Sequence, residues 1–173
     1  MIMTVSKGMK VAVLVASGFN ENHFLKAQKV MQDMSMNVKI ISMNQGLVNG
    51  WNEENEMAGW GHNYPVDEQL NSALGVDYDA LIIPGGQRSM DKLKMTAHTR
   101  RFIGSFMTAD KPVAVMGDAM DIMKHVQAVE GRTMSMPNET CQMDGNMMSG
   151  MVDDAYVTMM MEMFSQQPLD QAA

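Results

Sequence analysis

A strand–helix–strand pattern near the start of the chain places the strongest constraint on its fold. Residues 10–16 are almost continuously apolar, which is typical of a strand buried on both faces of a sheet. Ser17-Gly18 interrupts this run. Apolar residues then recur at three- and four-residue spacing over 24–34, as on one face of a helix, before a second apolar run at 37–43. Two buried strands joined by a helix lie parallel, so the pattern predicts an α/β fold with a mainly parallel sheet.

The rest of the chain continues this alternation. Further buried strands are predicted at 79–83, which ends at Pro84-Gly85-Gly86, and at 112–116. The segment 45–64, rich in glycine and asparagine, is expected to form a hairpin or an excursion from the sheet. Asp144-Gly145 predicts a hairpin over 140–149. Helices are expected in four places: 66–74, one or two within 89–107, 119–123 and 153–167. We expect residues 1–173 to form a single domain with its core over about 9–164 and a frayed tail over 166–173.

Composition narrows the class of partners. The net charge of −7 and the pI of about 4.9 disfavour binding to nucleic-acid phosphates. No apolar stretch approaches the length of a membrane span. A single cysteine, Cys141, excludes an internal disulfide framework and suits a reducing cytoplasm. We therefore expect a cytoplasmic protein that binds neither nucleic acid nor membrane.

Methionine is unusually frequent, with 24 residues, ten of them within 134–163. Because methionine is apolar, unbranched and adaptable, we interpret most of them as packing inward or at a subunit contact. A soft-metal or oxidant-scavenging surface is the alternative. In the terminal helix the expected inward stripe consists of Val157, Met160, Met161 and Phe164. Met159 and Met163 lie off that stripe and are expected to face a second subunit.

Three segments, in this order, resemble the ThiJ/PfpI superfamily, whose fold is like that of the class I glutamine amidotransferase domain. They are KVAVLVASGFNENHF at 10–24, DYDALIIPGG at 77–86 and KPVAVMGDAMDIM at 111–123. Weaker matches are Val66-Asp67 and the hairpin QMDGNMMS at 142–149. The resemblance covers roughly residues 9–164. It implies a three-layer α/β/α sandwich of the flavodoxin-like kind, with a mainly parallel sheet.

The resemblance also implies where the family's nucleophile would stand. In that family the strand after KPV ends in a cysteine at a strained strand-to-helix elbow, and the matching residue is Met116, followed by Gly117 and Asp118. A thioether has no proton to lose, so Met116 cannot act as a nucleophile. The family's glutamate that hydrogen-bonds the cysteine falls at His23, and a second acidic position falls at Asn20. We therefore predict an elbow at Met116 with strained backbone and without thiol chemistry.

Backbone amides remain at the matching positions. Gly85 and Gly86 end a strand and Gly117 precedes a helix, where free N–H groups attract anions. In the family these amides hold a developing oxyanion. We expect a binding site for an anion or small molecule that is formed by Gly85, Gly86, Gly117, Asn20 and His23. Asp118 would compete with such a ligand, because its carboxylate can cap the helix and occupy the same donors.

Two further side chains could carry chemistry. His23 could act as a general base, but no Ser, Cys or Thr stands in an obvious partner position. Cys141 could be a displaced nucleophile, yet it falls in an expected strand with no base assigned to it, so we interpret it as a structural thiol. His62, His98 and His125 lack the spacing of metal ligands, so neither a metal nor a cofactor is expected.

The leading hypothesis is a non-catalytic protein of this superfamily. It would form a homodimer and bind a small ligand or anion near Met116, or a protein partner. The first alternative is an enzyme, either a hydrolase or amidase or a glyoxalase- or deglycase-like protein, whose chemistry does not use the elbow side chain. The second alternative is a methionine-rich redox buffer, which depends on composition alone.

Overall fold

Strands and helices alternate along the chain much as the apolar pattern predicts. The computed structural model describes residues 7–52 and 59–166. Its strands are β1 Lys10–Leu14, β2 Phe19–Asn20, β3 Asn37–Ser42, β4 Leu47–Trp51, β5 Trp60–Pro65, β6 Glu68–Gln69, β7 Ala80–Ile83, β8 Val113–Met116, β9 Gln142–Asp144 and β10 Met147–Gly150. Seven of them form one sheet in the order β6–β3–β1–β7–β8–β10–β9. All neighbours in this sheet are parallel except β10 and β9.

Helices cover both faces of this sheet. They are α1 Glu21–Asp33, α2 Gln87–Leu93, α3 Ala97–Thr108, α4 Met120–His125 and α5 Asp154–Ser165. Val11 and Val13 belong to a core shared with α1 and α5, whereas Ala12 and Leu14 belong to the core on the opposite face, shared with α2, α3 and α4. Burial on both faces explains the continuous apolar run in β1. The protein is therefore a three-layer α/β/α sandwich with a mainly parallel sheet, as predicted.

The order of the strands places a crevice at the carboxyl ends of the central strands β1 and β7. From β1 the chain passes through α1 to β3 on one side, whereas β7 lies on the other side of β1 and leads through α2 and α3 to β8. The connections after the paired strands β1 and β7 therefore leave their carboxyl ends toward opposite faces of the sheet. In open α/β sheets this is the position where ligands bind.

A small second sheet of β2, β4 and β5 lies beside the crevice. Trp51 on β4 and Trp60 on β5 pack edge to face, with ring centroids 5.2 Å apart. The guanidinium of Arg88, on α2, lies 3.7 Å from the ring centroid of Trp51, which is within cation–π range. These contacts join the hairpin of β4 and β5 to the first turn of α2.

The helix predicted over residues 66–74 is wrong. This segment instead forms β6, which extends the sheet beyond β3, followed by a turn. The Asp67 side chain accepts a hydrogen bond from a backbone N–H of β3 at 2.7 Å. The carbonyls of Leu70 and Ala73 each accept a hydrogen bond from the guanidinium of Arg101 at 2.8 Å. These hydrogen bonds with the side chains of Asp67 and Arg101 take the place of the backbone hydrogen bonds of the expected helix.

The inward stripe of α5 differs from the prediction. Tyr156, Met160, Met163 and Phe164 are buried, whereas Met161 is 41% exposed. Met163 therefore packs into the core and does not face outward. Of the ten methionines within 134–163, four are buried, and four are exposed: Met136, Met143, Met151 and Met161. Inward packing thus accounts for only part of this segment.

Two of the segments predicted from the sequence extend beyond the described residues. The hairpin predicted over 45–64 is present as β4 and β5, while residues 53–58 between them lie outside the description. The frayed tail falls mostly at 167–173, which also lies outside it. Within residues 7–52 and 59–166, no helix has the length and apolar character needed to cross a membrane.

Candidate functional site

The elbow after β8 is centred on Gly117. Met116 is the last residue of β8, with φ −98° and ψ 117°, which are ordinary values for extended backbone. The expectation of strained backbone at Met116 is therefore wrong. Gly117 has φ +55°, in the region that favours glycine, and begins the 3-10 turn Gly117–Ala119 that leads into α4. The chain thus changes direction at a residue that has no side chain to present.

The side chain of Met116 belongs to the core. It is fully buried among the apolar residues that pack between the sheet and the helices α1 and α5. The strand end beside it is held by Tyr156, whose hydroxyl donates to the carbonyl of Val115 at 2.8 Å. Full burial raises the pKa of Tyr156 well above its ordinary value, which keeps this hydroxyl protonated as a donor. The side chain of Met116 therefore contributes packing and offers no atom to the crevice.

His23 is placed at the crevice by the first turn of α1. The side-chain oxygen of Asn20 caps this helix, because it accepts the backbone N–H of His23 at 3.1 Å. Nδ1 of His23 accepts a hydrogen bond from the backbone N–H of Gly85 at 3.0 Å. An accepting Nδ1 carries no proton, so the neutral ring holds its proton on Nε2. Burial, with a smaller contribution from Lys26, lowers the pKa of His23 to about 4.

The imidazole of His23 fills the space in front of Gly117. A Cβ added at residue 117 would lie 2.8 Å from Cε1 and 3.3 Å from Nε2 of this ring. A Cβ added at Gly85 would lie 3.0 Å from the same Cε1. The ring fits only because both neighbours are glycines. A side chain at position 117 would have to displace it.

Asp118 occupies a second amide at the crevice. Its Oδ1 accepts the backbone N–H of Gly86 at 2.9 Å. This carboxylate was predicted to cap the helix, but Met116 holds the cap position of the 3-10 turn and Asp118 lies within the turn. The carboxylate therefore bridges from the start of the turn to the end of β7. Gly86, with φ +115°, supplies the backbone conformation that directs its amide there.

The ligand residues predicted from the sequence do come together, but the amides of Gly85 and Gly86 are already paired. Gly85 and Gly86 donate to His23 and Asp118, and the carbonyl of Gly85 accepts the backbone N–H of Asn20 at 2.7 Å. An oxyanion could use the two amides only by displacing a side chain of the protein itself. The polar group that remains for a ligand here is the neutral imidazole of His23, whose Nε2–H lies on the side of residue 117.

Glu21 is a buried carboxylate that the sequence analysis missed. It is 1% exposed and accepts three hydrogen bonds, from the backbone N–H of His62 at 2.6 Å, from His62 Nδ1 at 3.2 Å and from the Tyr64 hydroxyl at 3.1 Å. Burial and the carboxylate raise the pKa of Tyr64 to about 12. Gly50 and Gly61 leave room for the carboxylate, and such isolated glycines in strands are the pattern that could have revealed it.

Cys141 does not have the environment of a nucleophile. It is 7% exposed and belongs to the same core as Met116. Burial, together with the negative charge of Asp153, raises the pKa of its thiol. Within the described parts of the chain, no cluster of three or more His, Cys, Asp or Glu side chains could hold a metal ion. The interpretation of Cys141 as a structural thiol agrees with this burial.

Comparison with known proteins agrees with the architecture. General stress protein 18 of Bacillus subtilis is 27% identical over 126 residues, which cover 72% of this chain and 69% of that protein. The protein named Putative cysteine protease YraA, from the same organism, is 25% identical over 71% of this chain and 68% of its own length. These names apply to the two Bacillus subtilis proteins, and the similarity to them is one of sequence.

Solved structures share the fold at low sequence identity. The ThiJ/PfpI domain protein from Brachyspira murdochii has a TM-score of 0.78 and 16% identity, covering 94% of this chain and 99% of that chain. Drosophila melanogaster DJ-1beta has a TM-score of 0.73 and 15% identity, covering 95% of each chain. The family model described as DJ-1/PfpI family matches residues 9–167, nearly the whole sequence. The chain belongs to the DJ-1/PfpI family.

Proposed function

We propose that this protein is a non-catalytic member of the family that works by binding a small ligand or a protein partner. One observation carries the proposal: Gly117 stands at the elbow, and the ring of His23 occupies the space where an elbow side chain would project. We accordingly assign the family's nucleophile position to Gly117, one residue after Met116. A glycine supplies no atom that can attack a substrate.

Thiol chemistry of the kind suggested by the name of YraA requires a thiolate beside a base. In this chain Cys141 is the one cysteine, and its raised pKa favours the neutral thiol. His23 is directed at Gly117, and its ring nitrogen Nδ1 is already bonded to Gly85. No nucleophile and base are therefore paired at the crevice among the described residues.

The crevice retains features suited to binding. It lies where strand connections diverge, and His23 supplies a neutral N–H donor there. Arg88 packs against Gly18 at this end of β1 and stacks on Trp51. Among the described residues no carboxylate forms an ion pair with Arg88, so its guanidinium N–H groups favour an anionic ligand. We also propose that the protein forms a homodimer. A reducing cytoplasm is part of the proposal, since Cys141 is a free thiol.

Two measurements on the purified protein test this proposal. Hydration of glyoxal, cleavage of peptides and hydrolysis of amides should each proceed at background rates in the wild type and in Cys141→Ser. Native mass spectrometry of gently purified protein should detect a dimer and a co-purifying small anion. Arg88→Gln should lose the anion, whereas Arg100→Gln, an exposed change on α3, should retain it.

Turnover would contradict the proposal, and the variants would locate its source. Turnover that disappears in Cys141→Ser would make that thiol the nucleophile. Turnover that survives Cys141→Ser but disappears in His23→Ala would instead favour an enzyme that uses the imidazole. Retention of the anion by Arg88→Gln would remove Arg88 from the binding role.

A further inference from the structure

A separate cavity of about 130 Å³ lies at the carboxyl ends of β1 and β3. Its walls come from the ends of these strands, from β4 and from α2. It lies on the β3 side of β1, whereas Gly85 and Gly117 follow β7 and β8 on the other side. The cavity is therefore distinct from the crevice around His23.

Two serine hydroxyls line this cavity. Ser42 is only 4% exposed and lines the cavity. Among the described residues no buried side-chain oxygen lacks a hydrogen-bond partner, so the Ser42 hydroxyl is open to water in the cavity, and a ligand acceptor can replace that water. Oγ of Ser17 accepts the backbone N–H of Asn49 at 3.3 Å, so its own proton is directed elsewhere. Both hydroxyls can donate to an acceptor inside the cavity.

The charged residues that line the cavity indicate the charge of its ligand. Lys92, on α2, lies at the cavity, and its ammonium donates one hydrogen bond to the carbonyl of Ser17 at 3.0 Å. An ammonium carries three donors, so two remain for a ligand. None of the described residues that line the cavity is acidic. The combination of one cation and two hydroxyl donors fits an oxyanion.

Apolar side chains complete the wall and limit the size of the ligand. Val48 is buried, Leu47 is 61% exposed and Met43 is half-buried at the same cavity. A water molecule in the liquid occupies about 30 Å³, so this cavity holds a molecule of roughly four to six non-hydrogen atoms. An aliphatic tail of one or two carbons would contact Val48 and Leu47.

We propose that this cavity binds a short-chain carboxylate of two to four carbons. Lys92 pairs with the carboxylate, the hydroxyls of Ser42 and Ser17 donate to its oxygens or to a 2-hydroxy or 2-oxo substituent, and the alkyl part lies against Val48. The inference does not depend on the proposed function of the crevice, because the two sites share no side chain that contacts ligand.

Backbone amide NMR during titration with sodium propionate tests this site. Sodium chloride holds the ionic strength constant. We expect saturable shifts confined to residues around Ser17, Ser42 and Lys92. Methylammonium chloride has a similar size and the opposite charge, so it should cause none of them. Inorganic phosphate has the charge but no alkyl part, so it should bind at least tenfold more weakly.

Three variants assign the shifts to side chains. Lys92→Gln should weaken propionate binding at least tenfold and Ser42→Ala several-fold, while Lys124→Gln on α4 should bind as the wild type does. Each variant's own spectrum reports whether it is folded. Shifts that rise linearly without saturation, unchanged affinity in Lys92→Gln or Ser42→Ala, or equal binding of phosphate would overturn the proposal.

Discussion

Cε1 of His23 lies 2.8 Å from the position that a Cβ on Gly117 would occupy. The glycine provides the space, and the hydrogen bond from Gly85 to Nδ1 fixes the ring within it. The two positions are therefore coupled, although His23 lies in the first turn of α1 and Gly117 precedes α4. A substitution at either one changes the surroundings of the other.

Gly117→Cys should give a slowly reacting thiol. His23 is neutral near pH 7 and Asp118 adds negative charge, so the surroundings do not favour a thiolate. The φ of +55° adds about 1–2 kcal/mol of backbone strain for a non-glycine residue. Rates of iodoacetamide labelling in a Cys141→Ser background measure this reactivity. Met116→Cys is the matched control and should react still more slowly, because its thiol would lie in the core.

Two further substitutions should accelerate the iodoacetamide labelling of the Gly117→Cys variant. His23→Glu supplies a carboxyl group that, when protonated, donates a hydrogen bond to the thiolate, and Asp118→Gly frees the amide of Gly86. We expect the rate to increase with each step. If the single variant reacts as fast as the triple variant, the crevice is already competent. If Met116→Cys reacts faster than Gly117→Cys, the elbow has been assigned to the wrong residue.

Stability should fall as the pH is lowered from 6.5 toward 4 because of His23. Its pKa is about 4 in the native state and near 6.5 in the unfolded chain, so within this interval the unfolded state binds an extra proton. The contribution of His23 to the free energy of unfolding is complete above pH 6.5. At 1.36 kcal/mol per pKa unit, as much as about 3 kcal/mol is lost by pH 4.

Urea unfolding followed by circular dichroism between pH 7.5 and 4.5 measures this dependence. His23→Gln retains an acceptor for the amide of Gly85 but does not titrate, so its stability should vary less with pH. His125→Gln removes an exposed histidine and should follow the wild type. Identical pH profiles for wild type and His23→Gln would show that another group causes the loss.

Gly61→Ala should destabilise the protein, whereas Gly104→Ala should stabilise it. A Cβ at residue 61 would lie 2.5 Å from Oε2 of Glu21, a carboxylate held by three hydrogen bonds, and such overpacking costs about 1–3 kcal/mol. A Cβ at Gly104, within α3, meets no atom within 4 Å and should add about 0.5–1 kcal/mol. Chemical denaturation compares them. Equal effects would mean that Glu21 does not require the space beside Gly61.

Mild peroxide should oxidise the exposed methionines first and leave the fold intact. Among the described methionines Met95, 81% exposed, should react fastest, whereas Met116 and Met148 are fully buried and should be protected. Peptide mass spectrometry, with circular dichroism as the control for unfolding, gives the order. Oxidation of Met116 at the rate of Met95 in folded protein would contradict the burial and favour a scavenging role.

The exact residue at the elbow could not be predicted from the spacing of apolar residues in the sequence. β8 is buried on both faces, so its apolar run has no alternation that marks the final residue. Alignment by resemblance placed the turn at Met116, and the backbone places it at Gly117. The Gly117-Asp118 pair after the run was the available indication, because glycine is favoured where φ is positive.

The layers and strand order were accessible from the sequence because they depend on local periodicity. The site contacts were not, since the hydrogen bond from Gly85 to His23 joins residues 62 positions apart. In α5 the run of methionines allows two alternative apolar faces, and the sequence pattern does not decide which of them is buried. The burial of Tyr156, whose hydroxyl bonds to the end of β8, selects the stripe that contains Met163.

The pairing of Trp51 with Trp60, and of Arg88 with Trp51, has an optical consequence. These are the protein's two tryptophans, so its tryptophan fluorescence, excited selectively over tyrosine, arises from the corner where the β4–β5 hairpin meets α2. Circular dichroism reports the whole sandwich instead. Coincident transitions would mean that this corner unfolds together with the sheet, and an earlier fluorescence transition would measure the free energy of opening the corner alone.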